Sequence, residues 1–120
     1  MVKYKKSPHL ITLKRTEKQM KNSKFDADIQ YLYKGIITLE NPEDCKNFFE
    51  DLCTVSELQE MSRRIKAARM LNDGYVYSEI ATQTGLSTAT ISRVNHCIKY
   101  GNGGYSKVLE SIKLQEKKNK

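Results

Sequence analysis

The sequence predicts an all-α fold of about six helices, and three observations lead to that class. Apolar residues recur at i, i+3, i+4 and i+7 in several separate stretches, which is the spacing of one helical face. Helix start and stop residues bracket those stretches. No segment of four or more residues alternates with the β-branched and aromatic chemistry of a strand.

The chain opens with residues 1–24, where eight Lys or Arg stand against Glu17 for a net charge of +7. Their apolar residues are scattered and Pro8 interrupts them, so little offsets the entropy of ordering them. They are expected to form a flexible basic arm. A helical domain then spans residues 25–113. Its first helix begins near Asp26, with Ile29, Leu32, Tyr33 and Ile36 on one face and Gly35 a weak point within it.

Asn41 is a favoured N-cap and Pro42 a favoured first helical residue, while Glu43 and Asp44 complement the positive end of a helix dipole. Cys45, Phe48, Phe49 and Leu52 then mark the apolar face of a second helix. Thr54 with Glu57 reads as a capping box and Cys53 with Leu58 as a staple. Leu58, Met61, Ile65, Ala68 and Leu71 carry the third helix to about Asn72, where Asp73-Gly74 stops it.

Residues 77–99 hold two short helices joined by a tight turn. Ile80 and Ala81 face inward from the first, and Ala81 is small enough for the second to cross closely. Gly85 supplies the left-handed residue of the turn. Ser87 caps the next helix by accepting the N–H of Thr90, and Leu86 and Ile91 are spaced as a staple around it. Three glycines within Tyr100 to Gly104 mark a hinge or cap before Tyr105, Val108, Leu109 and Ile112 outline the last helix. From Lys113 the chain is expected to fray, with residues 114–120 a charged tail.

The turn pattern is that of a helix-turn-helix, and its second helix has two unlike faces. Ile91, Val94 and Ile98 fall on one face, whereas Ala89, Ser92, Arg93 and His96 fall on or near the other. A slim leading end fits a DNA major groove about 12 Å wide, where Thr and Ala methyl groups and Thr hydroxyls reach base edges. Arg93 can pair with a phosphate or a guanine edge. Ser87, Thr88, Ala89, Thr90, Ser92, Arg93 and His96 are therefore the candidate DNA-contacting residues. The plainer alternative is a helical protein-interaction module without DNA binding, in which Thr88, Ala89 and Thr90 are ordinary first-turn surface.

Charge agrees with an anionic partner. Residues 25–60 carry nine acids and two bases, a net −7, while residues 61–120 carry eleven bases and four acids, a net +7. The basic half contains the reading helix. For the arm two roles stay open, a strand along DNA phosphate or in a minor groove, and a solvated tail. Helices with such broad apolar faces, at 38% apolar content, are expected to need a second subunit. A two-fold homodimer would also set two reading helices one DNA turn apart, about 34 to 36 Å, over a pseudo-palindromic operator.

Cys45, Cys53 and Cys97 are odd in number and widely spaced, and read as small core hydrophobes of a reducing, cytoplasmic compartment. His9 and His96 lack the paired spacing of zinc ligands, so neither metal nor other cofactor is expected. No apolar run approaches the roughly 20 residues of a membrane span. An enzyme is not expected either, because no acid is placed to orient His96 beside a serine nucleophile.

On Asp51-Leu52-Cys53-Thr54-Val55, Ala68-Arg69-Met70-Leu71-Asn72-Asp73-Gly74, Thr88-Ala89-Thr90-Ile91-Ser92-Arg93 and Tyr100-Gly101-Asn102, roughly residues 26–112 resemble the bacterial Trp repressor family, most closely its YerC/YecD type. The resemblance implies an intertwined, all-helical homodimer that binds operator DNA as a transcriptional regulator. In the tryptophan-binding members the indole lies between two arginines. Arg93 matches the one on the reading helix, and Arg63 or Arg64 the one on the third helix. Arg63, Arg64, Arg93 and Val94 thus outline a candidate effector pocket, with a solvated or phosphate-contacting helix face the alternative for the basic residues. Those members carry glycine where Val94 stands, and its branched side chain would crowd an indole at about 1 to 3 kcal/mol, so tryptophan is not the expected corepressor.

Overall fold

The computed structural model describes residues 23–119, so the proposed basic arm lies almost wholly outside the described residues. The described residues form six helices and no strand, as the periodicity predicts. These are α1 (Ser23–Ile36), α2 (Pro42–Leu52), α3 (Val55–Asn72), α4 (Tyr77–Thr84), α5 (Thr88–Tyr100) and α6 (Gly104–Lys118). The chain divides into two compact units, Met1–Phe48 and Phe49–Lys120, with the boundary inside α2.

In the first unit, α1 starts about one turn before the expected Asp26. Its apolar face is only partly covered: Ile29, Leu32 and Ile36 are half-buried, while Phe25, Tyr31 and Tyr33 are exposed. The start of α2 follows its sequence signal, since Asn41 Oδ1 accepts the N–H of Asp44 at 2.9 Å.

The second unit is organised by α3. Its N-terminus carries the expected capping box: the N–H of Glu57 donates to Thr54 Oγ1 at 3.1 Å, and the N–H of Thr54 donates to Glu57 Oε1 at 2.8 Å. Toward its C-terminal end, the adjacent residues Ala67 and Ala68 are fully buried and face different neighbours. Ala67, with Met70, meets Ile80, Leu86 and Ile91, fastening α4 and the head of α5. Ala68 meets Val94 and Leu109, fastening the middle of α5 and α6. Side chains this small let three helices approach one spine closely, and close approach is what dense core packing requires.

Three expectations need correction. The cysteines are not core residues, since Cys45 and Cys97 are exposed and Cys53 is only half-buried. Cys45 lies on a helix without a buried residue, and on α5 burial is confined to Ile91 and Val94 and does not reach Cys97. The buried stripe of α3 is Ala67, Ala68 and Met70, while Met61 of the expected stripe is exposed. The first half of α3 therefore offers apolar surface that its own unit leaves uncovered. Finally, α6 continues through Lys118 instead of fraying from Lys113. Leu, Gln, Glu and Lys are all good helix formers, and Lys113 approaches Asp73 at 4.0 Å.

Candidate nucleic-acid interface

The helix-turn-helix is built residue by residue as its sequence requires. Gly85 sits at φ +76°, in the left-handed region, and its N–H closes α4 on the carbonyl of Ala81 at 2.9 Å. Thr84 adds a support the sequence reading missed. Its buried hydroxyl donates to the Ile80 carbonyl at 2.7 Å and accepts the N–H of Leu86 at 3.2 Å, so one side chain spans the turn. The available signal was a threonine directly before the turn glycine, a residue able to bond back onto its own helix.

Beyond the turn, Leu86 and Ile91 share the core cluster beneath α4, the contact expected of a staple. Ile91 is fully buried, Val94 nearly so, and Ile98 packs at the edge of the second cluster. That anchoring decides which face of α5 meets solvent. Thr88, Ala89, Ser92, Arg93 and His96 are all exposed. Thr90 is half-buried, and Ser87 is exposed but committed to the cap.

The exposed face carries small groups on its leading turn and a guanidinium one turn later. The helix itself contains no Asp or Glu. Glu79 lies in the first turn of α4, where it complements the helix dipole. Such a surface can insert between base edges and neutralise phosphate.

The family model for Trp repressor protein matches residues 27–113. The chain belongs to the Trp repressor family. It is 45% identical over 89 residues to the uncharacterised protein YerC of Bacillus subtilis (strain 168), covering 74% of this chain and 86% of YerC. Among solved structures it is similar to a candidate Trp repressor from Staphylococcus aureus, with a TM-score of 0.69 and 45% identity over 72% of this chain and 87% of that one. A TrpR-like protein from Eubacterium eligens ATCC 27750 matches with a TM-score of 0.69 and 42% identity over 72% of this chain and 89% of that one.

In this Trp repressor family member the four residues of the candidate effector pocket differ in exposure. Arg63 and Arg64 are exposed at the middle of α3, and Arg64 pairs with Glu60 at 3.5 Å. Arg93 is exposed on α5. Its neighbour Val94 turns inward and is 3% exposed, packed with Ala68 and Leu109. A cavity of about 370 Å³ lies instead beside α3 and α6, lined in part by Ile65, Lys66, Arg69, Leu109, Ile112 and Lys113. None of the four borders it.

Among the described residues, no cluster of three or more His, Cys, Asp or Glu is placed to hold a metal ion. No described helix is long and apolar enough to cross a membrane.

Proposed function

We propose that this protein is a sequence-specific, double-stranded-DNA-binding transcriptional regulator that acts in the cytoplasm as a repressor. Its homodimer reads a pseudo-palindromic operator through α5. One observation carries the reading: the core face of α5 is locked by Ile91 and Val94, which turns Thr88, Ala89, Ser92, Arg93 and His96 outward together. Membership of the Trp repressor family supports it.

The dimer rests on apolar surface that one chain leaves open. Phe25, Tyr31 and Ile37 are exposed in the first unit, and Val55, Val108 and Leu114 in the second. Large apolar side chains in such number on a small chain mark a protein contact, and a second copy supplies self-complementary surface under two-fold symmetry. Tryptophan is not the effector in this reading, which rests on Val94 standing where the tryptophan-binding members carry glycine.

In vitro selection of duplexes from a random pool tests the proposal. The expected result is an inverted repeat whose half-sites lie about one helical turn apart. Failure to enrich any duplex, with purified chain sedimenting as a monomer, would leave the protein-interaction reading in its place.

A further inference from the structure

Tyr100 continues the exposed face of α5 by one more turn. Ala89, Arg93, His96 and Tyr100 follow one another at intervals of four, three and four residues, which keeps them on one stripe of the helix. That stripe lies opposite Ile91, Val94 and Ile98. Tyr100 is 74% exposed and is the last residue of α5. The N–H of Gly101 donates to the carbonyl of Cys97 at 2.8 Å, and a Cβ at Gly101 would collide with that same carbonyl. The Gly101 backbone leaves the helical region at φ −85° and ψ −153°, so the helix stops at Tyr100 with the phenol at its trailing end.

An exposed tyrosine at a helix terminus is ordinarily free to turn. Here the His96 ring lies against it, with centroids 4.9 Å apart and planes tilted by 49°. This is within the 4.5 to 7 Å range of favourable aromatic pairs. The pair holds the phenol along the stripe.

From Ala89 to Tyr100 the helix advances eleven residues. At 1.5 Å per residue that is about 16 Å, longer than the roughly 12 Å width of a major groove. A helix that touches base edges with its leading turn carries its last turn over the flanking backbone. What a phenolic O–H meets there is a phosphate oxygen, an acceptor it suits.

We propose that Tyr100, braced by His96, donates its hydroxyl to a DNA phosphate at the groove edge and fixes the trailing end of the helix there. The inference rests on α5 being the helix that enters the groove. The contact is neutral and independent of sequence, unlike the one expected of Arg93.

Fluorescence anisotropy with the full chain tests it, using a duplex enriched by selection and an unrelated duplex of equal length, between about 50 and 200 mM salt. Tyr100→Phe removes one hydroxyl and keeps the ring. The expected result is a loss of roughly tenfold on both duplexes with an unchanged salt slope, because no charge has been removed. Arg93→Ala, by contrast, lowers the slope by about one. The Tyr100→Phe loss also shrinks when His96 is already alanine, and equal losses in both backgrounds overturn the bracing.

If Tyr100→Phe binds both duplexes as the wild type does while Arg93→Ala is weakened, the phosphate contact is wrong and the reading of α5 stands. A wild-type chain that binds neither duplex at any salt overturns both. Unchanged affinity with a lower thermal midpoint shows that the hydroxyl serves the fold, which also overturns the contact.

Discussion

Ser87 and Thr90 hold each other at the head of α5. The Oγ of Ser87 accepts the N–H of Thr90 at 3.1 Å and donates its own hydrogen to Thr90 Oγ1 at 3.0 Å. Two of the seven candidate DNA-contacting residues are thus occupied in starting the helix, and the proposed reading leaves base-edge chemistry mainly to the exposed Thr88, Ala89, Ser92 and Arg93. Ser87→Ala is expected to lower stability by about 1 kcal/mol, the usual worth of such a cap. Affinity should fall on all duplexes alike, leaving the preferred sequence unchanged. Thermal unfolding and a repeated selection check both parts.

Gly85 holds φ +76° between α4 and α5, a backbone region that a side chain makes expensive. Gly85→Ala should lower stability by roughly 1 to 2 kcal/mol. Denaturant unfolding would register this as a lower midpoint at unchanged slope, and a midpoint equal to wild type would contradict the turn geometry.

Ile80 and Ile91 are fully buried and meet in one cluster with Ala67 and Leu86. Truncating either to alanine should cost about 2 to 5 kcal/mol, the range for large-to-small changes in a packed core. Ile91→Ala should also weaken DNA binding, because the same side chain fixes which face of α5 is outward. Circular dichroism melts alongside binding titrations separate loss of fold from loss of contact.

Thr54 and Glu57 give stability a small dependence on acid. Hydrogen bonds from the backbone and hydroxyl of Thr54 hold the Glu57 carboxyl below its ordinary value of 4.5. A carboxylate whose pKa is lower folded than unfolded contributes fully above the unfolded value, and the contribution fades as pH falls through the folded one. Wild type should therefore lose stability over Glu57→Gln as the pH drops below about 4.5, a difference absent at neutral pH except for the substitution's constant offset. Parallel curves for the two chains across that window would contradict the assignment.

The sequence revealed most where one residue type is nearly compulsory. The Asn41 cap, the Thr54 and Glu57 box, Gly85, Ser87 and the staple of Leu86 with Ile91 all form as read, because each depends on neighbours only a few residues away. Burial was less legible, because it depends on partners distant in the chain. Ala67 gave no signal beside the larger Ile65, yet it is buried completely where α4 and α5 converge. Cys45 and Cys97 looked apolar and are exposed, since their positions depend on which face a neighbour covers. Neighbours in sequence can also differ in burial, as Arg93 and Val94 do: Arg93 is exposed and Val94 is buried against Ala68 and Leu109.

Titrating the purified chain with a selected operator and with a scrambled duplex over a range of salt is the most direct measurement. An outward, basic α5 predicts tight binding to the operator, weaker binding to the scrambled duplex, and affinity for both falling as salt rises. Equal affinity for the two duplexes, or none for either in dilute buffer, would contradict it.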